Sequence, residues 1–280
     1  MKSYKIVASD LDGTLLDNRA EISHENLEAI KELLKRDVFF VPSTGRTFSE
    51  IPEALRNNPD IRYVIYSNGA VVFDKQTGKR ILNCIPKRIC REILDVLNTY
   101  ETHITFRYDG QCFVDATLQS EEDFEYYNII EAHRAVVRNY AVYMDDFKKI
   151  SYSRDNVEVF SVFFHNLDDK IACKNYFSQM GSLRVVEASE YNLEIININA
   201  GKGNALHSLA DMLGVSYSDT ISIGDSDNDS SIIQAAGLGL AVSNACSSLK
   251  ELANEIICSN EEHVIRYVLN SLPRNHVPFP

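Results

Sequence analysis

The alternation of short apolar strands with amphipathic helices in the first third of the chain is the feature that most restricts its fold. Residues 4–9, 38–41 and 63–66 are apolar and strand-like, and helical stretches at 23–36 and near 48–57 separate them. Strands joined through helices pair in parallel by right-handed crossovers. This part of the sequence therefore predicts an α/β fold built on a parallel sheet.

A different pattern fills the middle of the chain. Residues 105–114 contain two strand-like runs around Asp109-Gly110, a pair of residues that strongly indicates a β-hairpin. Hairpins mixed with helices indicate an α+β module with an antiparallel sheet. The other helices and strands predicted for this module are 87–99, 121–137, 157–164, 168–179, 183–187 and 193–198.

The parallel pattern returns after the module, with a helix at 204–214 followed by the strand-and-acid run "TISIGDSDND". We therefore predict a doubly wound, Rossmann-like parallel-sheet core made of residues 1–82 and 190–280. Residues 83–189 form an inserted α+β domain in this prediction.

Polar side chains cluster where the predicted strands of the core end. In an open parallel sheet, ligands bind beyond the carboxyl ends of the strands, so we expect these side chains to meet at one edge. Lys202, just before the helix near residue 204, would join them. The strand-end residues are Asp10, Asp12, Ser43, Thr44, Gly45, Ser67, Asn68, Gly69, Asp225 and Asp229.

The chemistry of this cluster indicates a phosphoryl site. Buried carboxylates without a partner are costly, and the sequence offers little positive charge nearby. A divalent cation with oxygen ligands meets this need, and Mg²⁺ fits best beside a phosphate. Lys202 adds a positive charge, while Thr44 and Gly45 offer a hydroxyl and backbone N–H groups. In this interpretation Asp10 attacks phosphorus and Asp12 moves protons.

Four motifs, in this order along the chain, resemble those of the haloacid dehalogenase superfamily, in its Cof-type branch with a C2B cap. They are "DLDGTLL", "STGR", "EIININAGKGNAL" and "GDSDND". The first implies that Asp10 is the nucleophile and Asp12 the acid and base. The second implies that Thr44 holds phosphate, and the third that Lys202 steadies the phosphate and the nucleophile.

The resemblance also implies the ligands of the metal ion. Asp225 would bind Mg²⁺ and Asp229 would support its coordination shell, together with a carboxylate oxygen of Asp10 and the backbone carbonyl of Asp12. Asn228 would lie near the phosphate. The same interpretation places Leu11, Gly45, Arg46 and Asn68 among the phosphate-binding or substrate-binding residues.

Composition limits the partners. The net charge of −12 disfavours nucleic acids and anionic membranes, and no apolar run approaches the roughly 20 residues that span a bilayer. The six cysteines show no CxxC pair, which is typical of free thiols in a reducing cytosol. We expect a cytoplasmic protein that is a monomer or a weak homo-oligomer.

These observations predict a Mg²⁺-dependent phosphatase that hydrolyses a small phosphorylated metabolite through an aspartyl-phosphate. The resemblance favours a sugar phosphate, with pyridoxal phosphate and nucleotides left open. Two alternatives share the same motifs. One is a phosphomutase or phosphotransferase, which would return the phosphoryl group to a sugar, and the other is a catalytically silent protein that binds a phosphometabolite.

Overall fold

The computed structural model describes residues 4–272, which form two compact units. Among the helices of this part of the chain the longest have 12 residues, and none combines the length and apolar character needed to cross a membrane. The first unit consists of residues 4–45, 52–81 and 201–272, and the second of residues 46–51 and 82–200.

Strands and helices are short in both units. The strands are β1 (Ile6–Ser9), β2 (Phe39–Pro42), β3 (Tyr63–Tyr66), β4 (Val71–Asp74), β5 (Arg80–Leu82), β6 (Thr102–Tyr108), β7 (Gln111–Asp115), β8 (Ala141–Met144), β9 (Val159–Phe164), β10 (Leu183–Ser189), β11 (Asn192–Asn197), β12 (Thr220–Gly224), β13 (Leu238–Val242) and β14 (Glu255–Ile257). The helices are α1 (His24–Lys35), α2 (Glu53–Arg56), α3 (Lys87–Leu97), α4 (Glu121–Tyr126), α5 (Glu131–Tyr140), α6 (Phe147–Ser153), α7 (Leu167–Ser178), α8 (Lys202–Leu213), α9 (Ser230–Ala235), α10 (Ser247–Leu252) and α11 (Val264–Ser271).

A five-stranded parallel sheet forms the centre of the first unit, in the order β14-β13-β12-β1-β2. β1 lies between β12 and β2, where Ile6 is opposite Thr220 of β12 on one side and Phe39 of β2 on the other. All four residues of β1 are buried, as expected for a parallel strand covered on both faces. A single parallel bridge, between Ser43 and Ile65, connects the end of β2 to β3.

Helices flank both faces of this sheet. Ile6 and Ala8 share one apolar core with Leu206 and Leu209 of α8, so α8 covers the face to which they point. Side chains alternate along a strand, so Val7 points to the opposite face. In the same unit α1 packs against α11, and the Ile265 N–H donates to Asn26 Oδ1 at 2.9 Å. The predicted doubly wound α/β core is confirmed.

The second unit contains a six-stranded sheet in the order β10-β11-β9-β6-β7-β8, antiparallel except for the β7–β8 pair. At the hairpin between β6 and β7, Asp109 and Gly110 both have positive φ, +52° and +72°. The two-residue turn that matches the strand twist needs such angles at both positions, and the predicted hairpin is confirmed. α3 and α7 pack on one face of the sheet, and Val137 of α5 packs with the other.

Two local predictions were wrong, and several elements were not predicted. The helix predicted over 121–137 is two helices, because Asn128 takes a left-handed backbone (φ +55°) and its side chain donates to the carbonyls of Phe164 and His165. The stretch 48–57 holds only a single tight turn and the four-residue α2. The elements that were not predicted are β4, β5, β8, α6 and α11.

The limits of the second unit also differ from those predicted for the inserted domain. The predicted boundary after residue 189 falls in the turn between β10 and β11, and β11 pairs with β9 through Glu194 and Ser161. A division there would remove a strand from its own sheet. The unit therefore continues to residue 200, and it also includes residues 46–51, where the Ser49 N–H donates to Gly110 O at 3.0 Å.

An ion pair closes the β3–β4 hairpin of the first unit. Arg62 donates to both carboxylate oxygens of Asp74, at 3.1 and 2.8 Å, and the Gln76 N–H donates to Asp74 as well. The hydrogen bonds from Arg62 are the main reason why the pKa of Asp74 falls to about 2. The ionised form of Asp74 thus stabilises the folded protein.

We expect Asp74→Asn to lower the free energy of unfolding by about 1–2 kcal/mol at pH 7, since the side chain of Arg62 is partly exposed and solvent screens the pair. The folded pKa is lower than the unfolded one, near 3.9. The difference in the free energy of unfolding between the parent and Asp74→Asn is therefore present above pH 4 and declines as the pH falls towards 2. Urea unfolding at pH 7 and pH 3 measures it, with the exposed Asp60→Asn as the control. A difference that is the same at both pH values would contradict this explanation.

Candidate active site

The parallel pairing of β1 with β12 brings two acids to one edge of the sheet. Asp10 directly follows β1, and its N–H donates to Ile223 O of β12 at 3.0 Å, which continues the ladder by one residue. Asp225 directly follows β12, and Asp229 lies one turn further along the chain. Asp10 and Asp229 are buried, with 6% and 0% of their surface exposed.

The turn after Asp10 fits closely around Asp225. Gly13 has a φ of +73°, and a Cβ atom at this position would lie 2.6 Å from Asp225 Oδ2. Thr14 Oγ1 donates to Asp225 Oδ1 at 3.1 Å. Only glycine satisfies both the backbone angle and the space, which explains the sequence Asp-Gly-Thr at this point.

Lys202 is the first residue of α8 and is almost fully buried, with 1% of its surface exposed. Its Nζ donates to Asp10 Oδ1 and to Asp229 Oδ1, both at 2.6 Å. The ammonium group therefore joins the acid that follows β1 to one of the acids that follow β12. Asp229 Oδ2 in turn accepts from the N–H groups of Asp225 and Ser226, at 3.1 and 3.3 Å.

Burial and mutual repulsion shift the pKa values of this group. Burial raises the pKa of Asp10 well above its usual range, Lys202 opposes this shift, and the negative charge of Asp229 adds to it. Burial and Asp229 raise the pKa of Asp225. Burial lowers the pKa of Lys202, but its two carboxylate partners outweigh this effect and the net pKa is raised. Lys202 thus stays protonated, but its single positive charge does not balance the three carboxylates.

The donor set could hold a metal ion. Asp10, Asp225 and Asp229 each offer one carboxylate oxygen, and these atoms lie within 4.8 Å of one another. Three carboxylates beside one ammonium leave two negative charges, which a divalent cation would balance. Oxygen ligands of this kind suit Mg²⁺. The side chain of Asp12 is outside this cluster, and its expected contribution, through the backbone carbonyl, stays a prediction.

The ends of β2 and β3 bring further predicted residues together. The buried Thr44 donates its N–H to Ile65 O and accepts the Asn68 N–H at its carbonyl, each at 3.0 Å. A Cβ atom on Gly45 would lie 2.9 Å from Asn68 Oδ1, so Gly45 is next to Asn68. Gly69 (φ +83°) lies against the backbone of the residue before Lys202, where a Cβ atom would meet that residue's carbonyl at 2.3 Å. The predicted phosphate-binding turn thus adjoins the lysine loop.

Three further predicted residues have other contacts in the structure. Arg46 belongs to the second unit, where Nη1 donates to Glu50 O at 2.9 Å. Asn228 is exposed and accepts from Ser226 Oγ at 2.9 Å. Leu11 has a buried side chain, and its carbonyl accepts the Leu16 N–H. Their roles towards phosphate stay predictions.

Two contacts of the site were missed at the level of sequence. Thr14 holds Asp225, and Asn244 Nδ2 donates to Gly13 O at 2.8 Å. A signal existed for each. Thr14 follows directly on the Asp-Gly pair, and Asn244 lies just after the apolar run of β13, which is itself a strand end.

We expect Lys202→Met to lower the free energy of unfolding by about 3 kcal/mol in buffer with a metal chelator. The substitution leaves two buried carboxylates without their shared cation, and breaking a buried pair from one side typically costs about 3–5 kcal/mol. Protonation of one carboxylate limits the loss. Urea unfolding against Lys79→Met, an exposed lysine of the same unit, measures the difference. A loss no larger than that of the control would contradict the assigned interaction.

Comparison with known proteins identifies the family. The profile of the haloacid dehalogenase-like hydrolases matches residues 7–269. The chain is 28% identical to the phosphatase YwpJ of Bacillus subtilis, over 96% of this chain and 99% of YwpJ. It is also 28% identical to the 5-amino-6-(5-phospho-D-ribitylamino)uracil phosphatase YwtE of the same organism, over 96% of this chain and 98% of YwtE.

A solved structure gives the same result for the fold. A haloacid dehalogenase-like hydrolase from Bacteroides thetaiotaomicron superposes with a TM-score of 0.79 at 22% identity, over 96% of this chain and 99% of that one. The match of the family profile extends over both units and includes every acid of the cluster. The chain therefore belongs to the haloacid dehalogenase superfamily, among its Cof-type phosphatases.

Proposed function

We propose that this phosphatase uses Mg²⁺ to hydrolyse a small sugar phosphate through an aspartyl-phosphate on Asp10. The observation that carries the proposal is the bond of 2.6 Å between Lys202 Nζ and Asp10 Oδ1 at the carboxyl edge of the sheet, beside two further acids. The relative YwtE is named for a substrate whose phosphate is on a ribityl chain. A phosphate on a short sugar or polyol chain is the corresponding proposal for this protein.

The acid cluster supports Mg²⁺ as the cofactor. Asp10, Asp225 and Asp229 would hold the ion. When bound, Mg²⁺ supplies positive charge that offsets the charge of the phosphate and of the carboxylates.

The charge of Lys202 addresses the main obstacle to the reaction. A carboxylate about 4 Å from a phosphate is repelled by about 4 kcal/mol per unit charge at an effective dielectric constant near 20. Lys202 contacts the attacking carboxylate directly and lowers this repulsion from a fixed position. Because it also holds Asp10 Oδ1, it restricts rotation of the carboxylate and so directs the nucleophile.

In the first step an oxygen of Asp10 attacks phosphorus, and the bond between phosphorus and the leaving oxygen breaks. The electron pair of that bond stays on the leaving oxygen, which takes a proton from Asp12. In the second step water attacks phosphorus and gives its proton to Asp12, while the bond between phosphorus and Asp10 breaks and its electron pair returns to the carboxylate. The sum is an alcohol and inorganic phosphate, with both aspartates restored.

We also propose a cytoplasmic location. The six cysteines are free thiols in the described part of the chain, which is consistent with a reducing compartment. The predicted monomer or weak homo-oligomer stays a prediction.

We expect Asp10→Asn to lower the release of phosphate from p-nitrophenyl phosphate and from a panel of sugar phosphates by at least about a thousandfold in Mg²⁺ buffer, since an amide cannot act as this nucleophile. Rapid acid quench of the parent should give a phosphorylated peptide that contains residue 10. Asp37→Asn, an exposed acid of the same unit, should retain parental activity.

The outcome separates the alternatives. Parental turnover by Asp10→Asn would contradict the nucleophile. Formation of a sugar phosphate isomer without free phosphate would instead show a phosphomutase. Binding of a sugar phosphate by the parent with no turnover would show a silent binding protein.

We expect Mg²⁺ to raise the Tm of the parent by a few degrees, since a ligand that binds only the folded state stabilises it by mass action. Asp225→Asn should reduce this shift because it removes one of the three carboxylates. Thermal unfolding over a Mg²⁺ titration at constant ionic strength measures both. An equal shift in the variant would exclude Asp225 as a ligand.

A further inference from the structure

The turn between β13 and α10 contacts both of the acid-bearing strand ends. Asn244 Nδ2 donates to Gly13 O at 2.8 Å, in the turn that carries Asp12. Two residues later, the Cys246 N–H donates to Asp225 O at 2.8 Å. One short segment thus holds the loops that follow β1 and β12, and none of the predicted catalytic or ligand residues lies in it.

Hydrogen-bond chemistry fixes the orientation of the Asn244 amide. A backbone carbonyl can only accept, so the NH₂ group must face Gly13 O. The Asn260 N–H can only donate, and it does so to Asn244 Oδ1 at 2.9 Å. The backbone N–H of Asn260 therefore fixes the Asn244 side chain, and that side chain in turn fixes the backbone carbonyl of Gly13. A carboxylate in its place would keep the bond from Asn260 and lose the bond to Gly13.

Asn244 holds the backbone of a turn that contains a glycine in a left-handed conformation. Gly13 has φ +73° and ψ 0°, and a glycine can leave such a conformation more easily than other residues. Thr14 anchors the turn to Asp225 at 3.1 Å on one side. Asn244 anchors the Gly13 carbonyl on the other. Asp12 is exposed and lies directly before this glycine, so a shift of the backbone of the turn would move its carboxylate as well.

We infer that Asn244 is a positioning residue for the proton transfers of Asp12, which it serves by fixing the Gly13 carbonyl. The inference rests on the proposed function, in which Asp12 protonates the leaving oxygen. Loss of the Asn244–Gly13 bond lets the turn move, and a carboxylate that is out of place transfers a proton less well. Lys202 holds Asp10 through a separate bond, so the attack by Asp10 depends less on the Asn244–Gly13 bond than the proton transfer does.

The test uses leaving groups of different basicity. A poor leaving group needs a proton in the transition state, while p-nitrophenolate leaves with little help. For a series of p-nitrophenyl, phenyl and p-methoxyphenyl phosphates, kcat/KM is measured for the parent, Asn244→Asp and Asn244→Ala. We expect both variants to lose less than about threefold on p-nitrophenyl phosphate and ~10- to 100-fold on p-methoxyphenyl phosphate. A plot of log kcat/KM against the pKa of the leaving group should therefore be steeper for both variants than for the parent.

Three further variants complete the test. Asp12→Asn should make the plot steeper in the same way. The double variant Asp12→Asn/Asn244→Asp should give a plot no steeper than that of Asp12→Asn, since the two residues act on the same step. Asn254→Ala is the matched control. It removes a bond of 2.7 Å from the Gly239 N–H in the same unit, away from the acids, and should leave the slope unchanged.

The outcomes are distinct. An equal loss on all three esters in both Asn244 variants, with a steeper plot for Asp12→Asn, would overturn the positioning role and leave the proposed function intact. An unchanged slope for Asp12→Asn would overturn the acid role of Asp12 and the inference with it. Urea unfolding of each variant shows whether the chain is folded. Steepening in Asn244→Ala, which adds no charge, would establish that repulsion by a new carboxylate is not the cause.

Discussion

The buried ammonium of Lys202, shared by two carboxylates, is the interaction on which the rest of the site depends. Burying an ion is costly unless its partners are placed well, and here both contacts are 2.6 Å long. The arrangement requires β1 and β12 to be neighbours, because each carries one of the acids. It also requires α8 to begin at the same edge of the sheet. The charges therefore fix the relation of three elements that are distant in sequence.

Close backbone contacts make this arrangement possible. Gly13 turns back so that its carbonyl faces Asn244 and its missing side chain leaves room for Asp225. Gly69 lies against the backbone that leads to Lys202. A side chain at either position would meet an atom at 2.6 Å or less, so the acids and the lysine approach one another only because these residues are small. The glycines of "DGT" and "NG" are therefore required by the lack of space for a side chain as well as by the geometry of the turn.

Local signals were sufficient to predict the parts of the fold and site that depend on neighbouring residues. Apolar runs and the acids that follow them predicted β1 and β12, and Asp109-Gly110 predicted its hairpin. What failed depends on distant partners. Asn128 breaks a helical pattern because it bonds carbonyls of Phe164 and His165, some 36 residues away. Asn244 bonds Gly13 across 231 residues, a distance over which no periodic pattern carries information.

The position of β1 between β2 and β12 has a consequence for the order in which the protein can assemble during its synthesis. Its partner β2 emerges from the ribosome soon after it, but its other partner, β12, is more than 200 residues later. All of the second unit is made before then and can close its own sheet first. The nascent chain thus contains Asp10 well before Lys202, the lysine that pairs with it, is added 192 residues later. Folding of the first unit must wait for the last third of the chain, as expected for a topology dominated by contacts between distant residues.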